Sequence, residues 1–245
     1  MSEHVKIRRD GAVTEILFDR PAKKNALTLA MYEHAADALQ EASTAEEVRC
    51  VVIASESEHF TAGNDLMDFM SDPPTDESSP VFRFLMALRG CACPVVAAVD
   101  GYAIGIGTTM LFHCDLAWAG QGAKFQMPFV DLGLVPEAGS SAMLPTMVGH
   151  RKAAELLYFG SFFGAARAKE NGIINDVVEG DVLEYVRERA QELTQKPPMA
   201  LQLTKELLRK TDNEAVEAAM RAEAAMFVRR LQSEEFMEAV AAFQG

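Results

Sequence analysis

Residues 5–8 read Val-Lys-Ile-Arg, apolar and polar in alternation, and residues 13–18 form a second run that ends in Ile-Leu-Phe. Asp10-Gly11 stands between them. A period of two places successive side chains on opposite faces of a strand, and the Asp-Gly link predicts a β-hairpin. The period then lengthens. Leu27, Met31, Ala35 and Leu39 fall on one face of a helix predicted over residues 27–42. Unbroken apolar runs follow at 50–54 (CVVIA), 94–99 (PVVAAV) and 115–119 (DLAWA), with a helical pattern near 81–88 between the first two. Strands of that kind are buried on both faces, as parallel sheets require. Residues 101–107 (GYAIGIG) are expected to lead straight into an apolar helix. Strand–helix–strand alternation predicts an α/β protein with a parallel-type sheet.

From Asp181 onward glycine nearly disappears, and the chain reads as successive amphipathic helices broken at Pro197-Pro198 and at Thr211-Asp212-Asn213. Two parts are expected: residues 1–180 as a β/α core carrying the site, and residues 181–245 as a helical C-terminal region. The charged residues of this tail read mostly as a solvated helix face.

Charge narrows the partners. The 245 residues carry a formal net charge of −13, which repels nucleic acid and anionic membranes. An anionic ligand must therefore be met by a local cluster of lysine or arginine. The N-terminal MSEHVKIRRDG lacks the apolar centre of a signal peptide. The longest apolar region, residues 94–118, is broken by Asp100, three glycines and Asp115, short of the roughly 20 residues a spanning helix needs. The four cysteines have no zinc-type spacing. A cytoplasmic protein with reduced thiols and no metal, nucleic acid or membrane partner is expected.

Three stretches carry candidate chemistry. HFTAGNDL (59–66) and DGYAIGIG (100–107) each follow an apolar strand and enter a helix through small residues. Such turns expose backbone N–H groups at a helix start, where an anionic oxygen is favoured. Two on neighbouring strands can aim at one oxygen and form an oxyanion hole; alternatively, their glycines serve tight turns and close packing alone. Neither is a dinucleotide fingerprint or a P-loop. The third, VPEAGSS (135–141), holds one acid, Glu137, in an apolar setting. Pro136 suits a first helical position and an acid in the first turn complements the helix dipole; the competing reading is a catalytic carboxylate. His113-Cys114-Asp115 reads as satisfied core residues where a helix meets a strand. His59 reads as a loop residue, and Ser140 and Ser141 as caps or lining of the helix after Glu137.

Four motifs together resemble the crotonase, or enoyl-CoA hydratase/isomerase, superfamily along essentially the whole chain: RPAKKNAL (20–27), FTAGNDL, PVVAAVDGYAIGIG and LGLVPEAG. The resemblance implies an α/β crotonase-like spiral of ββα units with a helical C-terminal region, assembly as a homotrimer or hexamer, and an acyl-CoA thioester as substrate. No separate cofactor is implied, coenzyme A being part of the substrate. The N–H groups of Asn64 and Ile106 would form the oxyanion hole. Lys23, Lys24, Ala62, Gly63, Asp65 and Leu66 would meet the CoA moiety, with Phe129 among the substrate contacts. Lys205 and Arg209 are weaker candidates for the nucleotide. The ending of the chain departs from a K-x-P-x-F-like pattern common in relatives.

The departures decide the chemistry. Hydratases of this family use two glutamates, at positions that look like Thr109 and Phe129 here. Neither residue can activate water or protonate carbon. Shifting a double bond needs one base, and LGLVPEAGSS is similar to the segment that carries it in peroxisomal-type Δ3,Δ2-enoyl-CoA isomerases. Glu137 is the expected base, with Asp131 as the alternative. Burial among Leu132, Leu134, Val135 and Phe129 would raise its pKa to about 6 to 7. A hydratase-like enzyme or a catalytically silent CoA-thioester binder are the competing outcomes.

Overall fold

A computed structural model describes residues 2–73, 77–210 and 212–244, without the side chains of 243 and 244. The hairpin forms from β1 (Val5–Asp10) and β2 (Val13–Phe18), with Asp10 opposite Val13. Helix α1 (Leu29–Thr44) starts where Thr28 accepts the Met31 N–H, and β3 (Cys50–Ser55) follows. Then come α2 (Leu66–Ser71), α3 (Pro80–Gly90) and β4 (Val95–Val99). A large sheet has the order β1-β2-β3-β4-β6-β9, parallel except for the hairpin, with β6 (Leu116–Gly120) and β9 (Asp176–Val178) on its far side.

The unbroken apolar runs have a simple cause. Val51, Ile53, Val95, Ala97 and Val99 face a core shared with α1 and α3, while Cys50, Val52, Ala54, Val96 and Ala98 face the other side. That side is covered by α8 (Val182–Thr194) through Val182, Val186 and Ala190, one residue per turn. Each fully buried valine or leucine contributes roughly 1.5–3 kcal/mol.

Between β4 and β6 the chain differs from the simple strand-to-helix expectation. Residues 102–104 first form a short strand, β5 (Tyr102–Ile104); Gly105 turns at φ +56°, and α4 (Ile106–Thr109) starts after it. A 3-10 turn over Met110–His113 completes the passage. Strand β5 pairs with β7 (Lys124–Gln126), which pairs with β8 (Phe163–Gly164), giving a small second sheet too short to leave a periodic trace in sequence. The remaining helices are α5 (Ser140–Val148), α6 (His150–Phe159), α7 (Ala165–Glu170), α9 (Pro198–Lys210), α10 (Asn213–Arg230) and α11 (Glu234–Gln244). The tail breaks fall near Pro197-Pro198 and Asp212-Asn213; Thr211 lies outside the described residues. Helix α5 begins at Ser140, so Pro136 and Glu137 precede it. That corrects the reading of them as its first turn.

Candidate active site

Two turns meet beyond the C-terminal ends of β3 and β4. Thr61 bridges to Ala103, and Leu27 to Asn64. In the second bridge Leu27 N–H donates to Gly63 O at 2.8 Å and Asp65 N–H to Leu27 O at 2.9 Å, so the Asn64 N–H is not used. Ile106 opens α4, where helix donors have no internal acceptor. Among the described residues, neither the Asn64 nor the Ile106 N–H has an acceptor in the chain. Glycine permits the approach: a Cβ on Gly63 (φ +95°) would lie 2.9 Å from Ile104 O, and one on Gly107 2.6 Å from Thr61 Cγ2.

The first turn is pinned from outside. Asn25 is wholly buried, at φ +56°. Its Nδ2 lies 2.8 Å from Ser55 Oγ, 2.9 Å from Ser57 Oγ and 2.6 Å from His59 O, and its Oδ1 accepts the Arg20 N–H at 2.6 Å. Arg20 pairs with Asp65 at 2.6 Å, and Asp65 caps α2 by accepting the Met67 and Asp68 N–H groups. Burial raises the Asp65 carboxyl, but Arg20 and the backbone donors outweigh it and hold the group below its ordinary value.

Glu137 stands at the head of a cleft of about 300 Å³. The walls come from Phe69 of α2, Val81, Phe82 and Leu85 of α3, and Met220 and Phe227 of α10. Thus the apolar surroundings are supplied by three distant helices. Leu132, Leu134, Val135 and Phe129 do not line the cleft. Glu137 is 7% exposed, and its carboxyl is pushed up to about 8. Burial is the main cause, a hydrogen bond from Thr109 opposes it, and the charge of Glu223 adds to it. The rise exceeds the expected range because three helices and a second acid close over the group. The Thr109 hydroxyl lies 3.2 Å from Glu137 Oε1 and 3.4 Å from Gly105 O. Tyr32 of α1 donates its phenol hydrogen to Asn64 Oδ1; burial, then the Glu137 charge, keep that phenol protonated well above its ordinary range. Hydrogen bonds thus tie Tyr32 to the turn of Asn64, and the helix of Ile106 to the carboxyl of Glu137.

The bend that carries Glu137 is strained. Ala138 sits at φ +60° and Gly139 at φ +70°, a region costly for alanine. His113 Nε2 donates to Ala138 O at 2.6 Å, and Ser140 Oγ donates to Glu137 O at 2.5 Å. His113 is held down to about 4 by burial, hence neutral at neutral pH, and its Nδ1 has no partner. The expectation of a satisfied core histidine is met at one nitrogen and missed at the other.

The other candidates divide between the Asn64 turn and positions away from the cleft. Ala62, Gly63, Asp65 and Leu66 flank Asn64 on one rim; Ala62 N–H donates to Lys24 O at 2.9 Å. Lys23 and Lys24 are exposed beside it, with Lys24 Nζ 5.2 Å from the Tyr102 ring centre. His59 stacks on the same ring at 4.4 Å. Phe129 is buried away from the cleft, its carbonyl accepting the Leu134 N–H. Asp131 is exposed against Gly160. Lys205 and Arg209 reach Asp115 at 2.7 and 3.0 Å, so their charges are committed to the base of the sheet. Lys205 and Glu223 are buried exceptions in a tail whose charged residues otherwise mostly face outward, as expected. Sequence reasoning passed over Tyr32, Asn25 and Glu223. The asparagine stood in the RPAKKNAL motif; the other two occupy helix positions that no local pattern distinguishes. Among the described residues there is no cluster of three or more metal-ligating side chains, and no helix is long and apolar enough to cross a membrane.

A ββα spiral in which two neighbouring turns keep unused backbone donors, with a buried carboxyl tied to the second through Thr109, is the architecture of the crotonase fold. The chain belongs to the enoyl-CoA hydratase/isomerase family, whose sequence profile matches residues 8–245. It is 34% identical to enoyl-CoA delta isomerase 2 of Rattus norvegicus over 99% of this chain, and it spans 63% of that protein's length. It is 31% identical to 2,3-dehydroadipyl-CoA hydratase of Escherichia coli, covering 99% of this chain and 96% of the other. The structure of Pseudomonas aeruginosa OdaA superposes with a TM-score of 0.96 at 44% identity, covering 99% of both chains.

Proposed function

We propose that the protein is a Δ3,Δ2-enoyl-CoA isomerase. A 3-enoyl-CoA would seat its thioester carbonyl against the Asn64 and Ile106 N–H groups, with the acyl chain along the apolar cleft. Glu137, ionised, takes a proton from C2; the electron pair moves onto the thioester oxygen as an enolate held by the two amides. The same carboxylic acid then delivers the proton to C4 as the double bond closes between C2 and C3. Two well-aimed donors matter greatly, since losing one typically costs about 100- to 1000-fold in rate. Lys23 and Lys24, both exposed, would meet phosphates of the CoA moiety.

The observation that carries this reading is that, among the described residues lining the cleft, Glu137 is the one carboxyl without an ionic or backbone partner. Thr109 faces it where a hydratase would present a second acid. Both oxygens of Glu223 are engaged by backbone amides, and Glu77 at the rim lies 3.3 Å from Arg221. Hydration is the second reading, favoured by the likeness to an Escherichia coli hydratase along nearly its full length. The assay separates them. Purified protein given 3-enoyl-CoA should produce the conjugated 2-enoyl-CoA, seen by its ultraviolet absorbance, and Glu137→Gln should abolish turnover while CoA-ester affinity stays within about twofold. Formation of 3-hydroxyacyl-CoA from 2-enoyl-CoA would favour the hydratase, and saturable binding without product a silent binder. The same reading extends to a cytoplasmic homotrimer or hexamer, with an exposed apolar stripe on α9 as its support.

A further inference from the structure

Glu223 lies on α10, far along the chain from the cleft head, yet it is only 6% exposed. One of its carboxylate oxygens accepts the Gly139 N–H at 2.6 Å; the other accepts the Ser141 N–H at 2.8 Å. These amides lie just beyond Glu137, across the bend where Ala138 takes its left-handed conformation. From the opposite side His113 Nε2 donates to the Ala138 carbonyl. A Cβ on Gly139 would meet Val216 Cγ1 at 2.9 Å, so the bend is pressed directly against α10. A buried carboxylate is costly unless its oxygens are satisfied. Here both are satisfied by that one bend, through the Gly139 and Ser141 amides with the Ser141 side chain beside them.

We propose that Glu223 is a positioning residue for Glu137, gripping both amides of the strained bend so that the base stands at the head of the cleft. The idea rests on Glu137 being the base. It has an electrostatic consequence. The groups facing Glu137 are the Tyr32 phenol from α1, the Thr109 hydroxyl from α4 and Glu223 from α10. Neutral His113 packs beneath the bend, and Arg221 and Glu77 pair with each other at the rim. Glu223 supplies like charge, which disfavours ionisation of Glu137.

The test uses Glu223→Gln and Glu223→Asp in the full chain. The expected result for Glu223→Gln is that the rising limb of kcat/KM against pH moves to lower pH, with kcat reduced and KM nearly unchanged. Glu223→Asp keeps the charge but withdraws it by one methylene. Its limb should stay near that of the wild type while kcat falls between about ten- and a hundredfold. Infrared titration of the Glu137 carboxyl band, identified by its loss in Glu137→Gln, reads the same shift without turnover. If the wild type does not isomerise 3-enoyl-CoA, the reaction assignment fails on its own, and the infrared midpoint still tests the clamp. An unmoved limb and midpoint in Glu223→Gln, or wild-type kcat in Glu223→Asp, overturns the proposal. Should Glu223→Gln fail to fold, the Glu223→Asp result decides.

Discussion

Glu137 shows how far a residue's surroundings outweigh its chemical type. An isolated glutamate is ionised at neutral pH, and this one is held up to about 8. As a base it works only when ionised, so kcat/KM for isomerisation should rise with pH through a midpoint near 8. A flat profile across that range would remove Glu137 from the role. Stability carries the opposite sign. The folded state binds this proton more tightly than the unfolded chain, so the associated stability is full below the ordinary carboxylate value and is lost as pH rises through 8. Glu137→Gln escapes that loss. Its melting temperature should gain on the wild type as pH rises from the ordinary carboxylate value of about 4.5 to about 8 and hold that gain above it, as thermal melts at each pH would show. The sequence named this acid because it stood alone among apolar residues. It could not say which residues would enclose it, since Phe69, Phe82 and Phe227 arrive from separate helices.

At the scale of elements, two turns stand closer than side chains would allow, and the proposed oxyanion hole depends on that approach. Gly63 and Gly107 have no room for a Cβ, the first against a backbone oxygen and the second against Thr61. Gly63→Ala must also adopt φ +95°, which an L side chain resists. The expected outcome is a folded protein whose kcat falls by about 100- to 1000-fold as the Asn64 amide leaves its place. Circular dichroism together with turnover would check it. The turn motifs were legible because glycine spacing records a steric demand. Strand β5 was hidden, as three residues between two glycines leave no period to read. Asn25 was visible as a motif letter, but its bonds to Ser55, Ser57 and His59 exist only after β3 is in place.

For the whole molecule, the acidic charge and the exposed apolar side chains pull in different directions. Met199, Leu203, Leu207 and Leu208 are exposed on α9, the first three a turn apart. A stripe of that kind favours burial against another surface. If the homotrimer or hexamer is correct, sedimentation should give a mass three or six times 26.8 kDa, and Leu207→Glu should shift it toward smaller species. A monomeric wild type would remove that part of the reading. By itself the sequence determined the parallel α/β core, the two glycine turns and the lone acid, because periodicity, small residues and an isolated charge are local properties. Only the tertiary structure decided that the Asn64 turn bridges to Leu27 and accepts the Tyr32 hydroxyl, that Thr109 of the Ile106 helix meets Glu137, and that Glu223 holds the bend behind it. Those contacts join segments whose separation along the chain leaves no mark in any one of them.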